Sequence, residues 1–302
     1  MRIAVTGRQG QVARSLLEAG DAQGVEVVAL GRPHLDLAVF ETIEPALRAA
    51  SPDIVVNAAA YTAVDRAERE PEITDRINAK GAGAIAQAAE ALQLPIIHLS
   101  PDDVFDGEKV NAYVEEDPVA PATAYGASKL AGERAVAAAN RDHVILRTAW
   151  VYAPWGKNFV RTMVALAETR EEVRVVADQH GCPTYAPDLA DAIIQIAHNL
   201  SEDPSSNSSR CGIFHLAGTG EATWAGFAEA IFGNLADKGK RRPRLIPITS
   251  AEYPTPARRP ANSRLDCAKI ASVHGVKLPP WRDSLAACLE RLAFEISNVR
   301  TS

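Results

Sequence analysis

Tyr125 and Lys129 stand four residues apart in Tyr125-Gly126-Ala127-Ser128-Lys129. On a helix that spacing puts both side chains on one face. A phenol beside an ammonium is a general acid, because the cation favours phenolate and draws the tyrosine pKa down from about 10 towards the working range. Upstream, Gly7-Arg8-Gln9-Gly10-Gln11-Val12-Ala13 makes a GxxGxxA turn. Its glycines let backbone approach a pyrophosphate, Ala13 is small enough for a helix to pack on a strand, and a helix opening at Gln11 and Val12 aims N–H groups at the anion. An NAD site normally carries an acid near the end of the second strand, but Ala29-Leu30-Gly31-Arg32 has none, and the Arg32 guanidinium suits a 2′-phosphate. These residues favour NADP(H) and leave NAD(H) open. Asp36 and Leu37 follow at the position that covers adenine in such sites. Ala58, Ala59 and Ala60, after Asn57, are small enough for ribose and diphosphate to lie against backbone, although simple close packing asks for the same residues.

These residues need a frame. Short β-branched runs at 3–5, 25–30, 54–57, 96–100 and 144–147 read as strands, and alanine-rich stretches at 11–17, 39–50, 75–92 and 125–140 read as helices. Strand–helix alternation implies parallel strands, right-handed crossovers and helices on both faces, a doubly wound α/β domain of the Rossmann type over residues 1–150. From Trp150 onward prolines gather and the pattern loosens, with helices expected at 159–169, 188–199, 224–234 and 282–295. Residues 151–302 are therefore expected to be mainly a smaller substrate-binding domain, with segments around 184–215 returning to the first. The stretch 201–210 reads as a surface loop.

The 302 residues suffice for one large or two ordinary domains. With 47% apolar and 23% charged residues, the composition is that of an ordinary globular chain. A net charge of −6 is the wrong sign for a polynucleotide-binding surface. Cys182, Cys211, Cys267 and Cys288 form no CxxC pair, so they are expected to be reduced and mostly buried, without zinc. No segment has the length and apolarity of a membrane span, and the chain enters its first strand without a secretion signal. The expected compartment is the cytoplasm.

Taken in order, the glycine turn, Asn57-Ala58-Ala59-Ala60, the Ser100 strand end and the Tyr125–Lys129 pair resemble the extended short-chain dehydrogenase/reductase superfamily. Longer segments sharpen this. Residues 57–65 (NAAAYTAVD), 125–133 (YGASKLAGE), 147–152 (RTAWVY), 178–184 (DQHGCPT) and 254–263 (PTPARRPANS) look like the motif series of the dTDP-4-dehydrorhamnose reductase family. The resemblance runs from the first strand to about Trp281. It implies reduction of a 4-keto nucleotide sugar, dTDP-4-dehydro-6-deoxy-L-mannose, to dTDP-L-rhamnose, in biosynthesis of cell-surface polysaccharide. It further implies that Tyr125 protonates the sugar oxygen, that Lys129 holds the nicotinamide ribose, and that Ser100 belongs to the catalytic group. Gly7, Gly10, Gln11, Val12, Ala58, Ala59, Ala60 and Thr62 would contact the cofactor. Asp102, Trp150, Arg258 and Asn262 would contact the substrate, with Arg259 near its diphosphate.

Two positions depart from the family's pattern. Ser100-Pro101-Asp102-Asp103-Val104-Phe105 stands where the family shows Ser-Thr-Asp-Tyr-Val-Phe, so a proline replaces the hydroxyl that would polarise the carbonyl. Loss of such a donor costs on the order of 10² to 10³ in rate. The positions matching a metal-holding glutamate cluster of some members are Ser15 and Pro187, so neither that metal nor its dimer is expected; the oligomeric reading is a monomer or weak homodimer. Pro101 also keeps open a non-catalytic NADP-binding regulatory homologue, and a reductase or epimerase of another nucleotide sugar is the third alternative.

Overall fold

The computed structural model describes residues 1–202 and 207–300. β-Branched runs with apolar side chains on both faces form five parallel strands, β1 (Arg2–Thr6), β2 (Glu26–Leu30), β3 (Ile54–Asn57), β4 (Ile96–Pro101) and β5 (His143–Thr148). A sixth, β6 (Gly212–His215), adds to the edge, giving the order β6-β5-β4-β3-β1-β2. Order reversal between β1 and β3 opens a crevice at the strands' carboxyl ends.

Helix α1 (Gln11–Gln23) continues beyond the expected end at 17 because Gly20 lets it press on β2. A Cβ at Gly20 would lie 2.4 Å from Val27 Cγ2. Helices α2 (Ile43–Ala50), α3 (Ala82–Ala91) and α4 (Ala124–Ala139) follow. The segment read as one helix from 75 contains a wide-turn stretch, Arg76–Gly81, before α3. There Asn78 accepts from Tyr61 N–H (2.8 Å) and donates to Ser128 Oγ (3.0 Å), tying the third crossover to α4.

After β5 come α5 (Phe159–Thr169), α6 (Ala186–Glu202), α7 (Trp224–Asp237) and α8 (Trp281–Arg300). One apolar cluster joins the sheet to α1 and α6 through Leu16, Ile193 and Phe214, and a second covers the other face through Leu47, Ile85 and Val136. A third, with Tyr152, Phe227, Phe232 and Trp281, centres the C-terminal helices. Beside it Glu172–Val176 pairs in parallel with Arg244–Ile248, a ribbon the sequence reading missed.

Of the expected loop at 201–210, 201–202 belong to α6 and Asn207–Arg210 is helical, while 203–206 lie outside the described residues. Among the described residues no disulfide joins the cysteines; Cys182 and Cys288 are buried and the other two partly exposed. No helix among the described residues is long and apolar enough to cross a membrane.

Candidate active site

The carboxyl ends of β1, β3, β4 and β5 and the starts of α1 and α4 enclose a cleft of about 710 Å³. Gly7, Gly10, Gln11, Val12, Ala58, Ala59, Ala60 and Thr62 line one end, and Ser100, Pro101, Asp102, Asp103, Tyr125, Lys129, Thr148 and Trp150 the other. Gly7 takes φ +96°, which turns the chain sharply out of β1. No side chain caps the start of α1, and its first turn holds no acid, so its leading N–H groups face the cleft free to meet an anion. Gln11 also joins the two parts of the molecule: its Oε1 accepts from Asn158 Nδ2 (2.8 Å) and its carbonyl from Trp155 Nε1 (3.3 Å).

Arg32, Asp36 and Leu37 stand outside the cleft wall. Arg32 is exposed; Asp36 accepts from Ala38 N–H within its own turn, and Leu37 is buried in the second apolar cluster. Arg8, which sequence reading passed over within the glycine turn, packs on Gly31, so two guanidinium-bearing residues flank the end of β2. Its signal was a basic residue directly after the first glycine.

Helix α4 begins where Thr123 Oγ1 accepts from Gly126 N–H at 2.9 Å. A Cβ at Gly126 would lie 2.2 Å from Asp103 O, so only glycine lets the helix start abut the turn after β4. That contact places Tyr125 beside Asp102 and Asp103. The expected lowering of the Tyr125 pKa is reversed: burial first, then Asp103 and Asp102, push it above the ordinary phenol range. Tyr125 is therefore protonated in the resting protein. Burial also raises Asp102 to about 8, aided by Asp103 and opposed by a hydrogen bond with Ser263.

Lys129 is held by a buried chain whose directions follow from one another. Its Nζ donates to Leu99 O at 2.7 Å. Ala59 N–H donates to Thr6 Oγ1 (3.0 Å), so the Thr6 hydroxyl must give its own hydrogen to Asn57 Oδ1 (2.7 Å). Asn57 Nδ2 then donates to His98 Nδ1 (3.0 Å), and His98 Nε2 lies 3.4 Å from Lys129 Nζ. Burial brings Lys129 down to about 8 against the pull of Glu133, and burial followed by Lys129 keeps His98 neutral.

Ser100 is engaged with the interior. Its hydroxyl donates to Glu133 Oε1 at 2.5 Å, and the same carboxylate takes Arg147 Nε (2.9 Å) and Nη2 (2.7 Å). Pro101, one residue on, points to the opposite face and pairs in register with Thr148. Thr148 Oγ1 is buried with no hydrogen-bond partner. Sequence reading missed Thr148, although it sits inside the quoted Arg147–Tyr152 motif.

Trp150 has φ +48°, a conformation bulky residues rarely adopt. Its indole lies over Gly181, where a Cβ would come within 2.3 Å, and stacks on Trp224 with centroids 3.5 Å apart. Trp224 was expected only as the start of a helix.

A second cleft of about 770 Å³ begins at Asp106 and includes Gln179, Tyr253, Arg258, Arg259 and Asn262. Arg258 is exposed and pairs with Glu108 (2.8 Å), while Arg259 pairs with Asp65 (3.0 Å). Asn262 is committed to structure: its Nδ2 donates to Lys109 O and Asn111 O, and its Oδ1 accepts from Arg264. Its side-chain amide is thus spent on holding the cleft's rim rather than offered to a ligand.

The model of the RmlD substrate binding domain matches residues 1–294. A dTDP-4-dehydrorhamnose reductase of Sinorhizobium fredii is 50% identical over 98% of this chain and 99% of its own length. The crystal structure of a dTDP-4-dehydrorhamnose reductase from Clostridium acetobutylicum superposes with a TM-score of 0.89 at 34% identity, covering 97% of this chain and 100% of that one. One from Bacillus anthracis, in complex with NADP, gives 0.88 at 31% identity over 96% and 99% of the two chains.

Proposed function

The chain belongs to the dTDP-4-dehydrorhamnose reductase family, and from that premise we propose that it reduces dTDP-4-dehydro-6-deoxy-L-mannose with NADPH to give dTDP-L-rhamnose. The observation that carries the reading is the single cleft that brings the open glycine turn, Tyr125, Lys129 and Trp150 together.

The residues present fit the dinucleotide. Gly10 has no atom within 4 Å of where its Cβ would stand, and the uncapped start of α1 leaves N–H groups for a pyrophosphate. Arg8 and Arg32 flank a strand end, Ala29-Leu30-Gly31, that carries no acid, and suit a 2′-phosphate. NADPH held there would provide the hydride that C4 of the sugar takes. Tyr125 delivers the proton to O4, so the carbonyl becomes an alcohol with one hydride and one proton added. Lys129, below about pH 8, carries the charge that holds the ribose hydroxyls and stabilises the phenolate left behind. Trp150, with its ring held between Trp224 and Gly181, lines the cleft and would meet the sugar along the edge of its indole. Arg258 and Arg259 line the second cleft, where planar donors match a diphosphate.

The test is loss of NADPH absorbance on adding the dTDP-4-keto sugar, with dTDP-L-rhamnose identified as product. Absence of turnover, or turnover only with a different nucleotide sugar, would overturn the assignment.

A further inference from the structure

Carbonyl reduction builds negative charge on the sugar O4, and a site that reduces fast places a second donor there beside the acid. Four groups at the reacting end of the cleft could be considered. Ser100 is spent on Glu133. Pro101 has neither hydroxyl nor N–H. Asp102 is bonded with Ser263 and faces Asp103. The fourth is Thr148, which lines the same cleft as Tyr125 and Lys129.

Thr148 ends β5 directly opposite Pro101, and paired residues of neighbouring strands share a face. Its hydroxyl therefore starts from the place next to the one Pro101 leaves without a donor. Although Thr148 is 8% exposed, its Oγ1 is covered and has no partner. An unpaired buried hydroxyl is costly, and threonine has two accessible χ1 wells that exchange Oγ1 with the methyl. The proline ring beside it neither accepts nor donates, so Pro101 offers the hydroxyl no partner.

We infer that Thr148 is a catalytic residue of this reductase, its hydroxyl turning about χ1 to donate to the substrate carbonyl oxygen in the role that Pro101 cannot fill. The inference rests on the reductase reading above. It makes Tyr125 and Thr148 a pair of donors from opposite sides of the cleft, one losing its proton and the other keeping it.

Thr148→Val preserves shape and removes the hydroxyl, while Thr148→Ser preserves the hydroxyl. With the dTDP-4-keto sugar and NADPH, Thr148→Val should lower kcat by on the order of 10² to 10³ and leave KM within about threefold. NADPH affinity, followed by fluorescence titration, should also stay within about threefold, and Thr148→Ser should keep kcat within about tenfold of the parent. Adding Pro101→Thr to Thr148→Val should recover about tenfold or more, since it returns a hydroxyl to the neighbouring strand. A Thr148→Val enzyme with unchanged kcat would overturn the assignment, as would a loss that appears in NADPH affinity instead. A parent with no turnover would remove the reductase reading itself, whereas an active parent with an indifferent Thr148→Val removes only the role of Thr148.

Discussion

Ser100 and Pro101 are consecutive residues on β4 facing Arg147 and Thr148 on β5, yet the two faces they occupy are opposites in chemistry. On the Ser100 face, Glu133 binds a serine and two nitrogens of Arg147, with both charged side chains 2% exposed. On the Pro101 face, a hydroxyl without a partner stands beside a residue that cannot hydrogen-bond through its side chain. A buried carboxylate that is doubly paired holds the fold in place, and an unpaired donor at the wall of a cleft is held ready for a ligand. A strand alternates its side chains, so a single residue step separates a structural anchor from a reacting surface.

Breaking the anchored face should have the largest effect on stability. Glu133→Ala leaves the Arg147 guanidinium buried without its carboxylate and should cost about 3 to 5 kcal/mol, measured by urea unfolding, while Thr148→Val should change stability far less. A loss below about 1 kcal/mol would show that the pair is not the anchor described.

On the reacting side, Tyr125→Phe should lower kcat by on the order of 10² to 10⁴ with NADPH affinity nearly unchanged. Retained turnover would mean that the proton comes from elsewhere, with Asp103 and Asp102 the acids whose charges reach Tyr125.

At the dinucleotide end, Arg8→Ala and Arg32→Ala should each reduce the preference for NADPH over NADH, together by about 10- to 150-fold. Titrating both cofactors checks this, and an unchanged ratio in the double variant would leave the 2′-phosphate without its assigned partners.

The Lys129 pKa makes a smaller, pH-dependent difference. Its folded value, about 8, lies below the ordinary lysine value, so between the two the unfolded chain binds more protons than the native one. The stability of the parent relative to Lys129→Met should therefore rise with pH above about 8, while NADPH binding weakens over the same range as the ammonium is lost. A flat difference between the two proteins across that window would place the Lys129 pKa near its ordinary value.

The smallest change expected is at Pro101. With Thr148 as donor, Pro101→Thr in the parent should alter kcat by about threefold or less; a gain of a hundredfold would show that the site lacks a donor altogether.

Much of this was legible in the chain of residues. Five strands, the glycine turn after β1 and the Tyr125–Lys129 spacing were local patterns: periodicity, small residues and a helical repeat report themselves without reference to distant segments. The long quoted motifs carried the family, because they are runs of identities rather than composition. The first helix was read too short for the opposite reason. Gly20 breaks a propensity pattern, and its use, contact with Val27 across the β1–β2 crossover, exists only once α1 lies on the sheet.

The site's electrostatics were beyond local reading. From the four-residue spacing alone, Lys129 should acidify Tyr125, but burial and the carboxyls of Asp102 and Asp103, brought in by the close approach at Gly126, raise it instead. The resemblance put Ser100 in the catalytic group, but which way a strand-end side chain points is settled by register: the Ser100 hydroxyl turns to Glu133, on the face opposite Pro101 and Thr148. Residue types and spacings thus determined which chemistry the chain carries, since those follow from covalent structure and short-range geometry. Packing of α4 and pairing of β4 with β5 decided which of those groups meet and in what protonation state, because desolvation and hydrogen-bond partners come from residues far apart in the chain.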